Sequence, residues 1–267
     1  MKSPIKALLL DMDGVLYHGE KAIPEALDFM AETGDIPHAF ITNNPILPPA
    51  IVADRLKQMG FTRPEEQQIV TSAEATALWL AKEKLGFRYF AVGAEGLHLA
   101  LRDQGEEDHA EADFVVIGEG AGIDYETITI GTNLILKHGA QLVCTNPDHS
   151  VDAHVEGLHQ VLPGGGALVA PFAVATGKVP VVIGKPQPLL YEMAAERIGV
   201  SLEECLMIGD RPDTDIVGAA RLGMKTALVR TGRFATGEAY PKQLPKPDWD
   251  LDSLSELGSI LFSGDPR

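Results

Sequence analysis

Cysteine is scarce in this sequence: Cys144 and Cys205 are the only two in 267 residues. They stand far apart, each inside an apolar run, so no disulfide framework organises the fold. Both read as reduced core residues, the usage expected of a cytoplasmic chain. Basic charge is short as well. Lysine and arginine number 22 against 38 acidic residues, for a net charge of −16. No basic surplus exists to neutralise a nucleic-acid backbone or an anionic bilayer, so neither nucleic acid nor a membrane is expected as a partner. A small phosphate ligand stays open, because one local cation outweighs a distant acidic surface. Long hydrophobic runs are missing too. Nothing approaches the roughly 18 apolar residues of a membrane helix. The apolar residues before Asp11 are too few for a secretory leader, and no N-x-S/T sequon occurs.

What is present is ordinary for a globular protein, 45% hydrophobic and 22% charged, in a chain long enough for one domain or two. Short apolar runs alternate with stretches of helical periodicity, the pattern of an α/β fold with a parallel sheet and crossover helices. Strands are expected at 7–10, 38–41 and 68–70, with helices at 24–32, 50–59 and 72–85, the last capped by Ser72. Gly86 marks a break, and the pattern restarts with strands at 89–92, 114–117 and 141–144 and helices at 95–104 and 125–137. A loop carrying His149, His154 and His159 then leads to a glycine run at 164–166 and a helix ending at Thr176. A strand at 179–183, a helix at 189–198, a strand at 204–208, a helix at 214–222 and a strand at 226–229 resume the first pattern. A linker rich in proline and lysine precedes a last helix at 254–261. The expected organisation is a core of 1–86 and 179–267 interrupted by an inserted α/β domain, 87–178.

The first apolar run stops on Asp11, Met12, Asp13 and Gly14. A glycine just after two carboxylates reads as a tight loop at a strand's carboxyl end, where ligands gather in open parallel sheets. Two carboxylates that close call for a positive partner, and oxygen ligands suit magnesium. Three other strand ends are polar: Thr42 and Asn43, Lys185, and Asp210 with Asp213 and Asp215 in the turn that follows. Taken singly, Asp210 could cap a helix, Thr42 or Asn43 could shape a turn, and Lys185 could be a surface lysine. Taken together they supply a nucleophilic carboxylate, a second carboxylate, a hydroxyl donor, a cation and metal ligands.

In this order D-M-D-G-V-L, T-N-N, G-K-P and G-D-x-x-x-x-D resemble the four motifs of haloacid-dehalogenase-type phosphatases. The insertion between the second and third motifs, with T-N-P-D at 145–148, is similar to that of the NagD-like branch, subfamily IIA, which includes 4-nitrophenyl and phosphoglycolate phosphatases. Many members of that branch have serine where this chain has Pro45. The resemblance implies a Rossmann-like core with a C2-type cap, and a magnesium-dependent phosphatase of small phosphorylated metabolites. Asp11 would be the nucleophile that forms an aspartyl-phosphate, and Asp13 the acid and then the base. Asp11, Asp210 and the Asp13 carbonyl would hold magnesium, with Asp215 orienting its water. Thr42, Lys185 and the loops at Gly14 and Asn43 would hold the phosphoryl group. Asn146, Asp148 and His149 would face the substrate when the cap closes. Capped phosphatases of this kind often pair through the cap, so a homodimer belongs to what the resemblance implies. A phosphotransferase or phosphomutase would use the same motifs and intermediate.

Other motifs point less far. The three histidines are spaced by five, not by the three or four of one helical face, and have no cysteine near them, which argues against zinc. The 164–166 glycines lack the lysine of a P-loop and read as a flexible turn. Gly118, Glu119, Gly120, Ala121 and Gly122 lack a complete dinucleotide-binding context.

Overall fold

The opening apolar run is a strand, β1 (Ala7–Leu10), with every residue buried. It sits inside a sheet, where both faces are covered and no polar alternation is needed. This computed structural model describes residues 4–33, 35–155 and 158–262. A short hairpin, β2 (Tyr17–His18) and β3 (Lys21–Ala22), follows, and then β4 (His38–Thr42) and β5 (Ile69–Thr71). The middle of the chain supplies β6 (Arg88–Val92), β7 (Glu106–Glu107), β8 (Phe114–Ile117) and β9 (Gln141–Cys144). It also supplies β10 (Ser150–Val155), β11 (Leu158–Pro163) and β12 (Val181–Val182). The chain ends with β13 (Cys205–Gly209), β14 (Lys225–Val229) and β15 (Trp249–Leu251).

Among the described residues two large sheets result, beside the two-stranded pairs β2–β3 and β10–β11, in the α/β class the sequence implies. The first runs β15-β14-β13-β1-β4-β5, and β1 pairs in parallel with both β13 and β4. The second runs β12-β9-β8-β6-β7, parallel throughout. Helices cross between the strands. Pro24–Glu32 buries Ala26, Phe29 and Met30, and its proline sits in the first turn, where no hydrogen-bonded N–H is needed. Tyr125–His138 is capped by Asp124, whose side chain accepts from Thr127 N at 2.8 Å, and stops at Gly139 in the left-handed region. The second sheet's core gathers Phe90, Val115, Ile117, Leu134, Leu142 and Phe172. Burying a side chain such as Phe172 stabilises the fold by about 2–3 kcal/mol.

The chain divides into two compact units. One comprises Met1–Ile41, Ala50–Val70 and Tyr191–Arg267; the other comprises Thr42–Pro49 and Thr71–Leu190. Both cysteines are free and buried, as expected. Among the described residues no helix is long and apolar enough to cross a membrane.

Four local expectations are corrected. Thr71, not Ser72, caps the helix Ser72–Glu83, its side chain accepting from Glu74 N; Ser72 Oγ instead donates to Asn43 O at 2.6 Å. The histidine segment is a hairpin, with His154 opposite His159 across β10 and β11. Alternation of Val151, Ala153 and Val155 is the strand signal there. Val181–Val182 pairs with β9 in the second sheet, not with the strands of the first pattern. A two-residue strand carries no sequence mark of its partner. Trp249–Leu251, inside the expected linker, is an edge strand beside β14.

Candidate active site

β1 and β13 are neighbours, and each ends on an aspartate. Asp11 N donates to Ile208 O at 2.9 Å, so the two strand ends leave the sheet together. Asp210 follows Gly209, the last residue of β13. A π-helical turn, Pro212–Ile216, then swings Asp215 back toward them, and Asp215 Oδ2 accepts from Arg211 N at 3.0 Å. Single π turns of this kind often mark functional sites. One carboxylate oxygen each from Asp11, Asp210 and Asp215 lies within 4.8 Å of the others. The three residues are 9%, 3% and 0% exposed. Asp210 Oδ2 also accepts from Arg233 N at 2.6 Å. A compact set of oxygen donors, without nitrogen or sulfur, fits a hard divalent cation such as magnesium.

Glycines make this geometry possible. Gly14 has φ +81°, and a Cβ there would stand 2.7 Å from Asp210 Oδ2. At Gly209 a Cβ would collide with the Asp215 side chain. Gly209→Ala is therefore expected to displace Asp215 and to lower stability by about 1–3 kcal/mol, the usual cost of overpacking. Denaturant unfolding would check this; a wild-type midpoint would contradict the close approach. Asp13 is exposed on the same loop, which closes through Gly14 N to Tyr17 O at 2.8 Å and Leu16 N to Met12 O at 2.8 Å. Asp213 pairs with Arg211 at 2.8 Å rather than joining the acidic cluster.

The other unit carries a second polar assembly, centred on Asn43. Asn43 Oδ1 accepts from Lys185 N at 2.7 Å, and Asn43 Nδ2 donates to Lys185 O at 3.1 Å and to Asp148 Oδ2 at 3.0 Å. The second-motif loop, the third-motif loop and the T-N-P-D loop are thus joined. Lys185 is 2% exposed and precedes a cis proline peptide. Thr42 Oγ1 accepts from Asn44 N at 3.1 Å, which uses a lone pair and leaves the hydroxyl proton to donate elsewhere. Asn44 Oδ1 accepts from Ile46 N at 2.8 Å, and Pro45 is buried against the glycine backbones at 96 and 118.

Of the T-N-P-D residues, Asn146 is fully buried and committed to its neighbours. Its Nδ2 donates to Asn43 O and to Glu119 Oε1, both at 2.8 Å, and its Oδ1 accepts from Asp148 N at 3.1 Å. Asp148 is buried too, whereas His149 is exposed. The 164–166 glycines are not a flexible turn. A Cβ on Gly164 or Gly166 would strike the backbone of Asp148 or Pro147, and one on Gly165 would lie 2.9 Å from Asn146 Oδ1. The run exists because backbone closes over the T-N-P-D loop.

Sequence reasoning missed Glu119 and Ser72. Glu119 stands within a glycine-rich run that carries no mark of burial, and only the fold brings it to Asn146. Burial pushes its carboxyl up to about 7; the Asn146 hydrogen bond pulls against the rise and the Asp148 carboxylate adds to it. Burial likewise pushes the Cys144 thiol up to about 12, so that thiol is inert at neutral pH.

Residues 8–107 match a model described as haloacid dehalogenase-like hydrolase, and residues 182–257 match a second, HAD-hydrolase-like model. The chain is 37% identical over 254 residues to the 5'-nucleotidase YutF of Bacillus subtilis, covering 94% of this chain and 96% of that protein. It is 37% identical over 259 residues to an acid sugar phosphatase of Staphylococcus aureus, with the same coverage. Among solved structures, a p-nitrophenyl phosphatase from Archaeoglobus fulgidus matches with a TM-score of 0.86 and 28% identity, covering 97% of this chain and 100% of that one. NagD from E. coli K-12 matches with a TM-score of 0.82 and 28% identity, covering 95% of this chain and 98% of that one. The chain belongs to the haloacid dehalogenase-like hydrolases. Within them it is a phosphatase of the NagD/p-nitrophenyl phosphatase branch, subfamily IIA, a phosphoric monoester hydrolase.

Proposed function

We propose that the protein hydrolyses phosphate monoesters of small metabolites, with magnesium, through an aspartyl-phosphate on Asp11. The observation that carries this reading is the cluster of Asp11, Asp210 and Asp215 carboxylates at the ends of adjacent parallel strands. An Asp11 oxygen attacks phosphorus as the bond to the leaving oxygen breaks, and Asp13 gives that oxygen its proton. Asp13 then takes a proton from water, which attacks phosphorus and frees Asp11. Thr42, Lys185 and the backbone N–H groups near Gly14 and Asn43 hold the phosphoryl oxygens. Asp11, Asp210 and the Asp13 carbonyl would hold magnesium, with Asp215 steadying it, and the bound ion would supply positive charge against those oxygens.

The relatives are named for nucleotides and for sugar phosphates, so the substrate is sought among such compounds. Residues 87–178 are proposed as the domain that reads the alcohol, through the loop bearing Asp148 and His149. His149→Ala is expected to lower kcat/KM for the preferred metabolite by roughly tenfold and to leave p-nitrophenyl phosphate within about twofold, because a good leaving group needs little help. Asp148→Ala also removes a bond to Asn43, so losses on both substrates are expected. Equal losses from His149→Ala on both substrates would place specificity elsewhere. The test of the function as a whole is phosphate release from a panel of nucleoside monophosphates, sugar phosphates, phosphoglycolate and pyridoxal phosphate, with magnesium and with chelator. Isomer formation without phosphate release would favour phosphoryl transfer to a bound alcohol.

A further inference from the structure

Glu119 has no part in the chemistry above, yet it is 2% exposed and tied to the loops that chemistry needs. Its Oε1 accepts from Asn146 Nδ2 at 2.8 Å, and the same amide nitrogen donates to Asn43 O at 2.8 Å. These contacts fix which way the Asn146 amide faces. Turned over, it would set its oxygen against Glu119 Oε1 and the Asn43 carbonyl, acceptor against acceptor, and its NH₂ against the Asp148 N–H. The right way round, it anchors Asp148 N and the Asn43 peptide, and Asn43 in turn brackets Lys185 by its N–H and its carbonyl. Glu119 itself is held by its backbone, whose carbonyl accepts from Ala94 N at 2.8 Å. One carboxyl therefore stands behind three loops: the one bearing Asn43, the one bearing Asp148 and the one bearing Lys185.

We propose that Glu119 is a positioning residue that, through the Asn146 amide, holds the Asn43, Asp148 and Lys185 loops in the register that grips the phosphoryl group. The proposal rests on reading Asn43 and Lys185 as phosphate-holding residues. It has a pH corollary. The titratable groups facing Glu119 are Asp148, on the loop after β9, and Cys144, on β9 itself. Asn146 meets it with its side-chain amide and the Gly165 turn with a peptide N–H. Neither titratable neighbour is a cation, so ionising Glu119 places a second negative charge beside Asp148. Desolvation and the Asp148 charge outweigh the Asn146 bond, which by itself favours the carboxylate, so the buried, gripping arrangement is the one that holds the proton. Because the folded-state value lies above that of an exposed carboxyl, the gripping form is complete at low pH and is lost as pH rises through about 7.

Glu119→Gln keeps an acceptor for the Asn146 amide and cannot ionise; Glu119→Ala removes the acceptor. The probe is p-nitrophenyl phosphate with magnesium between pH 6 and 8.5. Glu119→Ala is expected to raise KM roughly tenfold while kcat moves less than about threefold. A rise in KM is expected of the parent above pH 7; Glu119→Gln is expected to restore KM at pH 6 to within about twofold and to abolish that rise. Amide hydrogen exchange at Asp148 and Lys185 gives a readout independent of turnover. It should quicken in Glu119→Ala and stay at the parent rate in Glu119→Gln at pH 6. Unchanged KM and exchange in Glu119→Ala, or a Glu119→Gln protein as impaired as Glu119→Ala, would overturn the proposal. If Glu119→Ala does not fold, an identical rise of KM with pH in the parent and in Glu119→Gln overturns it. A parent that releases no phosphate would sink the functional reading instead, and the exchange rates would still decide the role of Glu119.

Discussion

Asp11→Asn protein is expected to release phosphate at least ~10⁴-fold more slowly than the parent, the scale of loss seen when a nucleophile is removed. An amide cannot supply the anionic oxygen that attacks phosphorus, and a phosphorylated amide would not form or hydrolyse in its place. The fold should survive. The change swaps one oxygen for nitrogen, opens no cavity, and leaves intact the backbone bond from Asp11 N to Ile208 O that ties β1 to β13. Asp13→Asn should slow both chemical steps, since one group serves as acid in the first and base in the second. Asp213→Asn is the control, because that side chain pairs with Arg211 outside the acidic cluster. Near-normal release by pure Asp11→Asn protein, with Asp213→Asn behaving the same way, would remove Asp11 from the chemistry.

Removing divalent metal is expected to cost on the order of 10³-fold or more in activity, with recovery on adding magnesium and none on adding calcium. Three carboxylates within 4.8 Å repel one another. At an effective dielectric near 20, each ionised pair at that separation costs about 3 kcal/mol, which a bound cation offsets. Calcium accepts more oxygen ligands at longer distances and so lets an aspartate bind through both oxygens, turning Asp11 away from attack. A thermal measurement separates binding from activity. Magnesium should raise the Tm of the parent and do little for Asp210→Asn, whose metal-free Tm should not fall, because one repelling charge has gone. Activity that survives exhaustive chelation, or an equal magnesium shift in both proteins, would rule out Asp210 as a ligand.

Much of the acidic cluster was legible because its chemistry is local. Asp11 and Asp210 each end an apolar run that the rules of burial make a strand, and both strands lie where parallel sheets present ligand-binding loops. Asp215 could be placed near them only by a motif spacing, since a π turn has no clear sequence mark. What could not be read depended on contacts between distant segments. Ser72 and Thr71 are equally good caps on paper; the pull of Asn43 O on Ser72 decides between them. The 164–166 glycines looked like freedom and are in fact a lack of room, set by Pro147 and Asp148 lying beneath them. Glu119 is the sharpest case. A glutamate among glycines gives no hint of burial, and its meaning comes from Asn146, 27 residues away.

The central claim is that phosphate passes through a covalent bond to Asp11, and chemical trapping tests it most directly. Protein turning over substrate with magnesium is quenched in acid, treated with borohydride and mapped by peptide mass spectrometry. Borohydride reduces an acyl phosphate to the alcohol, so the expected result is homoserine at position 11, dependent on substrate and absent from Asp11→Asn protein. Unmodified aspartate at position 11 under conditions of active turnover, or homoserine at Asp13 or Asp210 instead, would contradict it.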